Sequence, residues 1–140
     1  MSNESFKIVV VPCSGIGKVM GLLARETALQ VTAQMAPDIT ETVCLAHLVT
    51  GEEEAKAKVT GRACMTVDGC TAYCAAASVA AIGGNIQAKY LVLDEMRKHR
   101  GKNAGNGSAL TADGWQIVDA FASQIVEKAN ELHKGGANHE

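Results

Sequence analysis

Aromatic side chains are scarce in this chain: one tryptophan, two tyrosines and two phenylalanines among 140 residues. Too few rings exist to build stacking platforms for nucleic-acid bases. An excess of charge is also missing, since 13 Lys and Arg stand against 15 Asp and Glu. That balance leaves no basic footprint for a phosphate backbone. Long apolar runs are absent too. Nothing approaches the roughly 20 apolar residues that cross a bilayer. The run Ile8 to Val11 is too short for the hydrophobic core of a secretion signal. The chain is therefore expected in the cytoplasm, with neither nucleic acid nor membrane as partner.

What the chain does hold is cysteine, at positions 13, 44, 64, 70 and 74. In a reducing compartment these begin as thiols, and clustered thiols there more often bind metal or do chemistry than form structural disulfides. The most telling segment is Val67-Asp68-Gly69-Cys70-Thr71-Ala72-Tyr73-Cys74. It reads as a strand end running into a helix. A helix from Thr71 would set Cys70 and Cys74 on one face of its first turn, where the partial positive charge favours thiolate. Asp68 is suited to cap that helix, to orient a neighbouring ligand or to act as a base, with capping the commonest use. Gly69 supplies the backbone freedom for a sharp turn.

The length suits one domain with a real core, expected over residues 1–134 with a disordered tail at 135–140. Strands and helices alternate along it. Phe6 to Pro12 is a continuous apolar strand of the fully buried kind. Ile16, Val19, Met20, Leu23, Thr27 and Val31 then repeat at helical spacing to about Met35, where Pro37-Asp38 breaks the helix. A second strand is expected over Thr42 to Val49, a short exposed helix over Glu52 to Lys58, and a third strand over Ala63 to Asp68. The Ala-rich helix to Ile82 stops at Gly83-Gly84, which suits a C-terminal cap. A fourth strand follows at Gln87 to Leu93, then a basic mobile loop from Arg97 to Ser108. The last helix spans Asp113 to His133, with Ile117, Phe121, Ile125, Ala129 and Leu132 on one face.

This alternation predicts a Rossmann-like three-layer α/β/α sandwich around a mainly parallel four-stranded sheet of order 2-1-3-4. Sites in such folds form beyond the carboxyl ends of the strands, at the switch in strand order. Cys13 and Cys70 each follow a strand there. Cys44 reaches that edge only if the second strand ends near Ala46.

Taken together, Cys13, Cys44, Cys70 and Cys74 could hold Zn(II) tetrahedrally or an iron–sulfur cluster, or could be scattered core cysteines. Cys64, inside the third strand, reads as a core residue. The loop Cys13-Ser14-Gly15-Ile16-Gly17-Lys18 joins a strand to a helix start, where Ser14, Gly15 and Lys18 could serve an anion or support Cys13. It is not a phosphate-binding G-x-x-x-x-G-K-[ST] loop, because the first Gly is missing and Val19 replaces the Ser/Thr. A phosphocysteine carrier or another thiol enzyme using Cys13 or Cys70 is the alternative to a metal protein. His47 is the one histidine within plausible reach of the cysteine edge, although a hydrogen-bonded histidine is the commoner role. No motif names a small-molecule or protein partner, and a homodimer is compatible with the sequence.

These residues resemble the DGC-domain family of zinc-binding proteins, named for the motif present here as Asp68-Gly69-Cys70. The resemblance runs from Phe6 to about Leu93. It is carried by the first strand ending in Cys13-Ser14-Gly15, by Cys44-Leu45-Ala46, and by Asp68-Gly69-Cys70 with Cys74. It implies zinc chelation by Cys13, Cys44, Cys70 and Cys74, leaves Cys64 aside, and carries no assigned reaction.

Overall fold

A computed structural model describes residues 7–13 and 18–138. Four parallel strands form its centre in the order β2-β1-β3-β4, namely β1 Ile8–Pro12, β2 Thr40–Thr42, β3 Ala63–Asp68 and β4 Asn85–Leu91. The predicted order and direction are both found. Ile8, Val9, Val10 and Val11 are buried, as are Cys64 to Asp68. A strand covered on both faces has no polar side to show, which explains its unbroken apolar run.

Among the described residues six α-helices surround the sheet: α1 Val19–Leu29, α2 Leu45–Val49, α3 Glu53–Val59, α4 Cys74–Ala81, α5 Val92–Arg97 and α6 Ala112–Asn138. Helices α1, α5 and α6 pack together as one layer, while α4 and α2 pack together as the other. The third helix, α3, adjoins α2. On α1, Leu23, Ala24, Thr27 and Ala28 are buried at helical spacing. On α6, Ile117, Phe121, Ile125 and Ala129 are buried as the periodicity predicts, with Leu132 half-buried beside them. The edge of the Phe121 ring meets the Tyr90 ring with centroids 5.8 Å apart.

Several boundaries differ from expectation. The chain does leave helix before Pro37, but Gln30–Met35 is π-helical, closed by the Ala36 N–H donating to the Val31 carbonyl at 2.8 Å. The second strand is only three residues long, and Leu45–Val49 is helix rather than strand. Leu45 and Leu48, the two buried residues of α2, lie three apart. That spacing fits one helical face but not a strand, where it falls on opposite sides. The fourth strand starts two residues earlier than expected, and Val92–Arg97 is the helix α5. The glycine stop is as expected: Gly83 has φ +81°, its N–H bonds Ala80 and the Gly84 N–H bonds Val79. Both bonds belong to a Schellman cap.

The segment after α5 is tied together rather than open. Lys98 and Lys102 bond Gln124 and Gln116 of α6, and the Asn106 side chain accepts from the N–H groups of Ser108 and Ala109. Thr111 then caps α6 through the Gly114 N–H at 3.0 Å. The helix continues past the expected end at His133, and positions 139–140 of the expected tail lie outside the described residues.

Glu95 of α5 is a carboxylate only 3% exposed, between α5 and α6. Burial opposes its charge, but hydrogen bonds with His99 at 2.9 Å and from Gln124 at 2.9 Å, together with Lys98 at 3.2 Å, outweigh that effect. They hold its pKa below the ordinary glutamate value. A lowered folded-state pKa gives stability that is present above the unfolded value and lost as pH falls through the folded one. Urea unfolding should therefore find Glu95→Gln less stable than the parent at neutral pH. The difference should shrink as pH falls below about 4.

Candidate metal centre

The parallel ladder fixes where the strands end. Val10 of β1 pairs with Thr42 of β2, and Pro12 of β1 pairs with Val67 of β3. All three strands therefore finish at the same edge of the sheet. Cys13 directly follows β1, Cys44 comes two residues after β2, and Cys70 comes two residues after β3. The early end of β2 resolves the position of Cys44, which is the N-cap residue of α2.

The helix expected from Thr71 begins instead at Cys74. Cys70 therefore does not share a helical face with Cys74; it lies in the turn before α4, where the Tyr73 N–H donates to the Cys70 carbonyl at 3.2 Å. Tyr73 completes the turn with φ +51°, an uncommon conformation for a residue carrying a Cβ. The Lys89 ammonium lies over its ring, 5.0 Å from the centroid. Cys44, Cys70 and Cys74 are exposed, whereas Cys13 is buried at the rim of the core.

Asp68 ties this turn down. Its side chain is buried, and its two oxygens accept from the N–H groups of Ala75 at 2.8 Å and Ala76 at 3.2 Å. These are unpaired donors of the first turn of α4, where a carboxylate also meets the positive end of the helix dipole. Gly69 serves by lacking a side chain rather than by a left-handed φ. A Cβ there would lie 3.1 Å from Met20 Cβ and 3.2 Å from the Met20 carbonyl carbon. Its N–H donates to Cys13 Sγ at 3.2 Å, while the Cys13 N–H donates to the Val67 carbonyl at 2.8 Å.

Cys64 is elsewhere. It is fully buried, its thiol donates to the Arg62 carbonyl at 3.3 Å, and burial pushes its pKa up to about 11. Inside β3 and with no surface exposed, Cys64 is a core thiol. Lys18 is exposed at the start of α1, and Ser14, Gly15, Ile16 and Gly17 lie outside the described residues.

The family model of the DGC domain matches residues 9–117, well over half of the chain and beyond the expected limit near Leu93. This chain belongs to the DGC domain family. No curated protein and no solved structure matches it. Among the described residues of this DGC domain, no helix is long and apolar enough to cross a membrane.

Nor, among those residues, do three His, Cys, Asp or Glu side chains form a group able to hold a metal ion. The four cysteines share an edge without being gathered around one point. Their chemistry nonetheless suits a soft metal, since thiolates are the preferred donors for zinc and iron–sulfur centres. Beside Cys44 the structure adds residues that sequence patterns did not join. His47 Nδ1 pairs with Glu52 Oε2, and both line a solvent-open cavity of ≈ 220 Å³ with Cys44. The pair was hidden because Leu45–Val49 looked like strand; the Leu45/Leu48 spacing was the available signal.

Removing the Asp68 carboxylate leaves two backbone donors without their acceptor. Asp68→Ala should cost about 1–3 kcal/mol in urea unfolding, with a smaller loss for Asp68→Asn, whose amide keeps one acceptor oxygen.

Proposed function

We propose that this DGC domain binds Zn(II) through Cys13, Cys44, Cys70 and Cys74, as a structural, carrier or sensor protein of a reducing compartment such as the cytoplasm. One observation carries this function: three adjacent strands, β2, β1 and β3, each deliver a cysteine to the same sheet edge. Cys74 opens the helix that packs over it.

Zinc has no geometric demand from its d-electrons and takes four thiolates tetrahedrally, at about 2.3 Å. Cys13 is the fixed member of the set, buried and already a hydrogen-bond acceptor from Gly69. Cys44, Cys70 and Cys74 are exposed on turns and helix starts, where an ion can reach them. Binding of this kind releases thiol protons and stabilises the fold that holds the ligands.

A cysteine-dependent thiol, persulfide or phosphocysteine-transfer enzyme is the second reading. Its support is the exposure of Cys70 on a turn directly beyond β3, open to a substrate. Cys13, at the strand end beside it, is the other candidate nucleophile.

Elemental analysis of anaerobically purified protein should find about one zinc per chain. Cys70→Ser or Cys74→Ser should sharply lower both zinc content and melting temperature. Unchanged values would remove the zinc function. Metal-free protein with one thiol alkylated by iodoacetamide far faster than the others would assign the enzyme instead, and visible charge-transfer absorption would assign an iron–sulfur cluster.

A further inference from the structure

Asn106-Gly107 is the one place in the chain where an asparagine precedes a glycine. It lies between α5 and α6, with Asn106 exposed. Asn106 Oδ1 accepts from the N–H groups of Ser108 at 2.8 Å and Ala109 at 3.0 Å, and the Asn106 N–H donates to the Ala109 carbonyl at 3.0 Å. The bond from Ser108 makes an Asx turn, closing a ring of atoms that runs from Asn106 Cγ through the Gly107 nitrogen. That nitrogen is not engaged elsewhere. Among the described residues nothing accepts from the Gly107 N–H.

The turn therefore holds an electrophilic amide carbon next to a free backbone nitrogen. Attack at Cγ would turn Oδ1 into an oxyanion, and two N–H groups already bond that oxygen at the distances such an anion needs. Glycine adds no Cβ to obstruct the approach. Comparable sites each lack one of these elements. Gly69, after Asp68, has its N–H committed to Cys13 Sγ, and Asp68 is only 1% exposed. Gly114, after Asp113, donates to Thr111 Oγ1 at 3.0 Å in the first turn of α6. Asn103 forms a similar turn with the Gly105 N–H at 3.0 Å, but its oxygen has one donor rather than two and the buried Ala104 follows it.

We propose that Asn106 is a self-modifying site, converted by water to aspartyl and isoaspartyl forms through a cyclic imide with the Gly107 nitrogen. The Gly107 N–H gives its proton to hydroxide, and the nitrogen bonds Asn106 Cγ. The Cγ–Nδ2 bond breaks, and Nδ2 leaves as ammonia with a proton from water. A second water then opens the imide at either carbonyl. Each conversion consumes one water, releases one ammonia and leaves a carboxylate where an amide stood. The aspartyl form keeps an acceptor for Ser108 and Ala109. The isoaspartyl form lengthens the main chain by a methylene inside the turn and breaks the pairing of Gly105 with Leu110. Thr111, the cap of α6, follows that pairing directly, so the modification loosens the start of the helix.

The test incubates the full chain, folded and unfolded in guanidinium chloride, at neutral and mildly alkaline pH. Peptide mapping by mass spectrometry follows positions 103 and 106 and separates aspartyl from isoaspartyl products. Position 106 should convert at least about 10-fold faster in the folded chain than in the unfolded one, because only the folded chain holds the turn. It should run ahead of Asn103 and speed up as pH rises. Gly107 does not take a positive φ, so Gly107→Ala fits the backbone, and circular dichroism confirms that it is folded. Its added Cβ should slow conversion about 10-fold or more. Conversion that is equal or slower in the folded chain, or a parent-like rate in Gly107→Ala, overturns the assignment.

Discussion

Asp68 joins the last residue of a buried parallel strand to the first turn of the next helix. Its two oxygens hold the N–H groups of Ala75 and Ala76, and the five residues between strand and helix must span that link. Cys70 lies within that span and Cys74 opens the helix after it, so the carboxylate helps to set where both stand. Gly69 works in the same direction. With no Cβ against Met20, it lets the first turn of α1 approach while its N–H meets the Cys13 sulfur. The Asp-Gly-Cys sequence is thus a mechanical unit in which each residue has a separate task.

Sheet order, parallel direction and the buried face of α6 were legible in the sequence, because long periodic segments and unbroken apolar runs reflect burial directly. The segment from Thr42 to Val49 was not. Its five apolar residues before the charged run suit either a strand or a short helix, and tertiary packing of Leu45 and Leu48 decides for the helix. The difference mattered, since it held Cys44 inside the sheet and hid the pairing of His47 with Glu52. The Cys70–Cys74 spacing misled in a different way. A separation of four implies a shared face only inside a helix, and Tyr73 reverses the chain before the helix begins. Cys64 was readable from its strand context alone, and complete burial agrees with that context.

The cysteine edge divides into a buried part and an exposed part. Cys13 is anchored by backbone hydrogen bonds at the core rim, while Cys44, Cys70 and Cys74 stand exposed on the turns around it. This division separates the chemistry from the fold. The sheet and the α1–α6 layer are complete without the edge, and Cys64 keeps its proton inside them.

The short β2 has a bearing on how copies of this protein meet. It ends one side of the sheet with only three residues, and the opposite border, β4, exposes Asn85, Gln87 and Lys89 in alternation. A brief border offers few free backbone groups to a neighbouring chain, and a border dressed with polar and cationic side chains discourages one from docking. Both limits of the sheet are thereby guarded against growth by strand addition. Crowded molecules of this protein would resist the β-type aggregation to which open parallel sheets are prone.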